Sequence, residues 1–150
     1  MCHSSTGFIF KLATVVFALF ADTAFAAGDP ARGAQDFRSC MACHSVNPGE
    51  HSTGPSLANL WSRKAGSAEG FPGYSEALKG ANVVWNESSL DQWLSDPRRF
   101  IPGTSMAFQG IKDAQERADV IAYLKAVSEN KAPAMPQQGI TMGTRHRHGR

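Results

Sequence analysis

The chain has 150 residues, with 15 lysines and arginines against 13 aspartates and glutamates, a formal charge of +2, and three cysteines. A balance this even, with no basic stripe interleaved with aromatics, argues against a nucleic-acid role. Once an N-terminal leader is set aside, the length suits one small domain and not two.

Met1 to Lys11 carries one positive charge, at Lys11. Leu12 to Ala21 is a short apolar run, and Ala24-Phe25-Ala26 is an A-x-A cleavage signal. The run is far short of the ~20 apolar residues that span a bilayer. Residues 1–26 are therefore expected to be a secretory leader cleaved before Ala27, which sends the mature chain to the bacterial periplasm. Cys2 leaves with the leader. The two remaining cysteines fall in one short motif, so no structural disulfide is available.

Asp29-Pro30 supplies an N-cap and an N1 proline, which predicts a helix to about Ser39 with Gly33 and Phe37 on one face. A short helix is expected over Leu57 to Trp61 and another over Ser75 to Lys79. Asn86 caps a helix through Leu90, Trp93 and Leu94 that stops at Asp96, before Pro97. Asp113 with Glu116 resembles a capping box and opens a last helix to about Glu129, with Val120, Tyr123, Leu124 and Val127 at helical spacing. No stretch alternates long enough for a sheet, so the expected class is all-α, with about four to five helices and long loops. Such loops suit a compact domain when they drape over a cofactor. Residues 131–150, rich in Pro, Gly and Gln, are expected to be a disordered tail. The charge splits at the same line: residues 27–130 balance to −2, and Lys131, Arg145, Arg147 and Arg150 give the tail +4.

Cys40-Met41-Ala42-Cys43-His44 is the motif that carries chemistry. It has the C-x-x-C-H spacing of covalent haem attachment. Two thiols three positions apart on one helical turn reach two vinyl groups of one porphyrin, and the following imidazole lies under the iron. A thioredoxin-like pair would want a βαβ context, which the flanks lack. A structural zinc site would want a second Cys/His pair, which His51, His146 and His148 do not supply. A plain disulfide would close only a tiny loop.

Further residues match a known family. They are Gly33 with Phe37, Thr53-Gly54-Pro55 with Leu57, Arg63-Lys64, Pro72-Gly73-Tyr74-Ser75, Trp85, Ile101-Pro102-Gly103-Thr104 with Met106, and Arg117-Ala118-Asp119 followed by Ile121-Ala122-Tyr123-Leu124. From Gly28 to about Glu129 the chain resembles the class I c-type cytochromes, the branch of mitochondrial cytochrome c and its soluble bacterial relatives. The resemblance implies the class I fold around one covalently attached haem c, with N- and C-terminal helices crossing. Cys40 and Cys43 would hold the haem, and His44 and Met106, 62 positions further on, would be the axial ligands. Pro55 would accept a hydrogen bond from the His44 ring, which fixes the tautomer. Arg63, Tyr74, Ser75, Trp85 and Thr104 look like the residues that neutralise or hydrogen-bond the propionates, and Phe108 would pack at the exposed haem edge.

Two departures from the family stand out. Trp93 and Leu78 occupy places where the family often has a tyrosine and an asparagine, so the methionine pocket is expected to be less polar. Ser39, Ser52 and Ser105 sit where lysines are usual, leaving Arg98, Arg99 and Lys112, so steering by charge is expected to be weak. With both axial positions filled, the expectation is a one-electron carrier and not an enzyme. Its partners would be redox proteins such as a membrane cytochrome complex, a terminal oxidase or a periplasmic dehydrogenase. It would be a monomer, with weak or no membrane association. The competing expectations are a peroxidase-like or sensing haem protein, in which Met106 would have to leave the iron, and a relay domain held permanently in a larger complex.

Overall fold

The structure is a computed structural model and describes residues 27–133. The expectations for the leader, and for all but the first residues of the tail, lie outside the described residues. Helix α1 runs Pro30–Asp36 and passes without a break into a 3-10 helix, Phe37–Ala42. Then follow α2 (Glu76–Gly80), α3 (Glu87–Ser95), α4 (Pro97–Phe100) and α5 (Ala114–Ser128). The described residues contain no strand beyond an isolated antiparallel bridge between Lys64 and Val84. The fold is all-α, as expected.

The helix starts are set by short polar side chains. Asp29 accepts from Ala31 N–H at 2.7 Å and Arg32 N–H at 3.3 Å, with Pro30 behind it. Asn86 and Ser89 form a full capping box at α3. Asp113 accepts from Glu116 N–H at 2.8 Å to open α5. Asp96 ends α3 and also caps α4, its carboxylate accepting from Arg99 N–H at 3.1 Å.

One local expectation needs correction. Leu57–Trp61 forms turns, not a helix. Its backbone donors are committed elsewhere: Leu57 N–H to the Ser45 carbonyl at 2.8 Å, and Trp61 N–H to Ser128 Oγ at 3.1 Å. Asn59 and Ser62 take left-handed φ values of 52° and 62°, which a helix cannot include. Helix α3 stops before Pro97 as expected, with Asp96 as its C-cap, and a further short helix not expected from the sequence, α4, starts at Pro97. Asp96-Pro97 repeats the Asp29-Pro30 signal, and proline is at home in a first helical turn.

The core gathers where α1 crosses α5. Gly33 is buried at the crossing, and a Cβ there would overlap the Asp119 carbonyl. Phe37 and Tyr123 sit beside it, ring centroids 5.3 Å apart, each 1% exposed. Burying each ring contributes roughly 1.5–3 kcal/mol. Leu60, Trp85, Leu90, Trp93, Leu94, Ile101, Val120, Ile121 and Leu124 complete the buried cluster.

One charged side chain lies inside this contact. Asp119 is buried and accepts from Asp29 N–H (2.7 Å), Arg32 Nε (2.7 Å) and Nη2 (3.0 Å), and Gln115 Nε2 (3.0 Å). The Arg32 hydrogen bond, helped by those from Asp29 and Gln115, holds the Asp119 carboxyl below its usual range against the opposing effect of burial. Arg32 stays charged, so Asp119 is the group that titrates. A depressed acid contributes stability that is complete above its ordinary pKa of ~3.9 and is lost as pH falls below that toward the lower folded value. Replacing Asp119 by Asn should therefore cost about 1–3 kcal/mol at neutral pH. The difference from the parent should shrink as pH falls below about 4, the ordinary carboxyl value. Urea unfolding across a pH series measures both effects.

Candidate functional site: a covalent haem crevice

The end of α1 sets the geometry of the motif. Phe37 is fixed against Tyr123, and the 3-10 helix that starts there carries Cys40. Cys43 N–H (3.0 Å) and His44 N–H (2.9 Å) both donate to the Cys40 carbonyl, which closes the turn tightly. Both cysteines are free thiols, Cys40 half-buried and Cys43 exposed. Burial raises the Cys40 thiol above its ordinary pKa, with a smaller opposing effect from the Ser39 hydroxyl.

The His44 ring is held on one side only. Its Nδ1 lies 2.8 Å from the Pro55 carbonyl, and a carbonyl only accepts, so Nδ1 carries the hydrogen and Nε2 keeps its lone pair. Burial lowers the His44 pKa, with the Pro55 hydrogen bond acting the other way, which favours the neutral imidazole that a metal requires. Gly54 lies beneath the ring, where a Cβ would overlap His44 Cε1. The Thr53-Gly54-Pro55 run thus does two things: the glycine admits the ring and the proline carbonyl orients it.

Arg63 reaches the crevice from the loop between the 3-10 helix and α2. Its Nη1 donates to the Ala58 carbonyl (2.9 Å) and its Nη2 to the Ser56 carbonyl (3.2 Å). Nε is buried with no partner. Burial lowers the Arg63 pKa, and nearby Tyr74 raises it. A buried cationic group with a spare N–H suits a carboxylate that the porphyrin would bring. Tyr74 accepts from Ala68 N–H at 3.2 Å and keeps its own hydroxyl hydrogen to donate. Ser75 Oγ caps α2 by accepting from Leu78 N–H at 3.3 Å, and its hydroxyl is likewise still a donor. Trp85 is buried, and its backbone is tied to two neighbouring residues of that loop: Trp85 N–H donates to the Arg63 carbonyl (2.9 Å) and Ser62 N–H donates to the Trp85 carbonyl (2.8 Å).

The other wall comes from α3 and the loop after α4. Trp93 packs on Trp85 with ring centroids 5.5 Å apart. Met106 is partly buried against the core, as are Phe108 and Leu78. The Met106 loop is shaped by Thr104, whose N–H donates to the Ile101 carbonyl (3.2 Å) and whose Oγ1 accepts from Met106 N–H (3.3 Å). Phe108 N–H then donates to the Met106 carbonyl at 3.1 Å.

Sequence reasoning missed His51 as a structural tie. Its Nδ1 accepts from Ser56 N–H (3.0 Å), its Nε2 donates to the Glu69 carbonyl (2.8 Å), and its ring packs on Phe71 at 5.6 Å. A histidine between two long loops was the available signal. Among the described residues, no three of His, Cys, Asp and Glu gather as a separate metal site would need.

Two free thiols on one turn, an imidazole with Nε2 open, a thioether in a shaped loop and a buried guanidinium with a spare donor fit a covalently held iron porphyrin. Comparison with known proteins agrees. Residues 30–128 match the cytochrome c family, and the chain belongs to it, as a class I c-type cytochrome with one covalently attached haem c. It is 46% identical over 116 residues to the cytochrome c2 of Rhodomicrobium vannielii, an alignment covering 76% of this chain and 92% of that one. It is 44% identical over 117 residues to the cytochrome c2 of Blastochloris viridis, covering 77% and 91%. Among solved structures it resembles cytochrome cH from Methylobacterium extorquens, with TM-score 0.62 and 43% identity over 66% of this chain and 99% of that one.

The family resemblance implies that Trp93 and Leu78 would flank the Met106 thioether, and neither side chain carries a hydroxyl or an amide. A hydroxyl donated to a thioether sulfur draws electron density from it and favours the reduced iron. Trp93→Tyr should raise the reduction potential by about 20–60 mV, the one-electron equivalent of one hydrogen bond, with helix content unchanged. Protein-film voltammetry reads the shift. An unchanged potential in both Trp93→Tyr and Leu78→Asn would show that these positions do not tune the iron.

Proposed function

We propose that the protein is a soluble one-electron carrier of the bacterial periplasm, with Cys40 and Cys43 bound to the haem and His44 and Met106 as axial ligands. It would take an electron from a membrane cytochrome complex or a periplasmic dehydrogenase and deliver it to an oxidase or reductase. The reading is supported by a tautomer-locked His44 and, separately, by a thioether carried in a shaped loop at Met106. As ligands the two would leave the iron no open position. The haem supplies a one-electron couple, and a thioether ligand favours its reduced form.

The residues divide the remaining work. Burial favours the neutral form of His44, and Pro55 aims its ring. Arg63, Tyr74, Ser75, Trp85 and Thr104 would meet the propionates with donors. The buried rings of Trp85 and Trp93 would help to keep water from the haem, which would keep reorganisation on electron transfer small. Export before Ala27 is supported by the Ala24-Phe25-Ala26 signal, and no helix among the described residues is long and apolar enough to cross a membrane.

Ligation is testable with carbon monoxide. The reduced parent protein should bind it poorly at neutral pH, while Met106→Ala should bind it readily and show a lowered potential. Rapid binding by the parent would favour a sensing or catalytic role instead.

Partner steering is testable with salt. Residues 27–130 balance to −2 and carry serines at 39, 52 and 105, so few charged pairs are available for screening. Electron-transfer rates to the natural partner should change only modestly with ionic strength in a form ending at Asn130. The full chain, with +4 on its tail, should show any additional dependence. A steep dependence in the shortened form would mean that Arg98, Arg99 and Lys112 make a stronger docking face than the charge count implies.

A further inference from the structure

Gly28 and Asp29 are both tied to α5. Gly28 lies against α5: a Cβ there would overlap the Ala118 carbonyl and come within 3.0 Å of the Ala122 Cβ. One residue on, Asp29 N–H is bound to Asp119 at 2.7 Å. Ala27 is thereby held at the lip of a cavity of about 380 Å³ between α3 and α5.

The charged groups of that cavity are Glu87 and Asp91 from α3 and Arg117 from α5. Arg117 is already engaged. Its Nε binds Asp91 at 2.7 Å, and its Nη1 donates to the Ile111 (3.0 Å) and Lys112 (3.1 Å) carbonyls. Asp91 is therefore neutralised by a neighbour. Glu87 is the excess charge: among the described residues it has no cationic partner, although it faces the same space as Ala27. Asp29, the acid next along the chain, is turned to Arg32 at 3.1 Å.

The geometry points to the α-ammonium of Ala27 as the cation that this cavity receives, with Glu87 as its main carboxylate partner. The inference rests on cleavage before Ala27. Hydrolysis of the Ala26–Ala27 peptide bond gives the hydroxyl of water to Ala26 and its hydrogen to the Ala27 nitrogen; at neutral pH the new carboxylic acid gives up its proton and the new amine takes one up, so a neutral amide becomes a carboxylate and an ammonium. In the precursor that nitrogen is an uncharged amide. Processing thus adds a charged contact to the α1–α5 clamp. The site is a receptor for a primary ammonium, and its ligand is the chain's own new end.

The test uses holoprotein purified from the periplasm. Intact mass establishes the first residue. The α-amine is then acylated at pH 7.5 with a succinimidyl acetate, and its rate is read by peptide mapping in the parent, in Glu87→Gln and in the control Glu76→Gln, whose carboxylate lies on α2 and pairs with Lys79. Only the neutral amine reacts, so a carboxylate that stabilises the ammonium slows the reaction. An exposed pair of this kind predicts that Glu87→Gln reacts about twofold faster than the parent at low salt. The gap should close at high salt, and the control should match the parent. Glu87 is exposed on the first turn of its helix, and its replacement leaves the Asp91–Arg117 pair intact. An Ala27 start with equal rates in parent and Glu87→Gln overturns the inference and leaves the processing reading standing. A mature chain that begins at another residue overturns both.

Discussion

Helix α1 meets α5 without a side chain between the two backbones at residue 33. A methyl group there would occupy the place of the Asp119 carbonyl. Everything downstream follows from that approach. It brings Phe37 onto Tyr123, and Phe37 is the first residue of the 3-10 helix that carries Cys40. It also brings the Asp29 backbone and the Arg32 guanidinium to Asp119, so an apolar contact and a buried ionic one share a single crossing. The thiols are presented by a helix that has no freedom to roll.

The long loops are ordered by a different means. They contribute little regular hydrogen bonding, so side chains connect their backbones. His51 joins the Ser56 amide to the Glu69 carbonyl. Arg63 joins the Ala58 and Ser56 carbonyls, and Tyr74 holds the Ala68 amide. Each of these side chains stands in for a piece of secondary structure. Two of them, Arg63 and Tyr74, also have donors to offer a carboxylate, so the groups that shape the loops are available to the cofactor as well.

Much of this was legible before any coordinates. The C-x-x-C-H motif named the cofactor chemistry, because thiols and imidazole at that spacing have few other uses. The helix starts at Asp29, Asn86 and Asp113 were visible as capping residues, and the α1–α5 crossing was visible as Gly33 and Phe37 against Tyr123 and Leu124. The misses have a common cause. Leu57–Trp61 has helical spacing of apolar residues, yet its amides bind Ser45 and Ser128, which lie 12 and 67 positions from their partners. Helix α4 was hidden by reading Pro97 only as a stop. The ties made by His51 and the cradle that Gly54 makes for His44 depend on segments brought together by the tertiary fold, and no local pattern announces them.

The unpaired Nε of Arg63 ties the fold of its loop to whatever binds there. A buried donor with nothing to bind costs about 1–3 kcal/mol, more when it is charged. Small domains have only about 5–15 kcal/mol of stability in total. An acceptor that satisfied this donor would therefore restore a sizeable share of the whole, so that affinity for a ligand and stability of the loop would be one quantity measured from two sides.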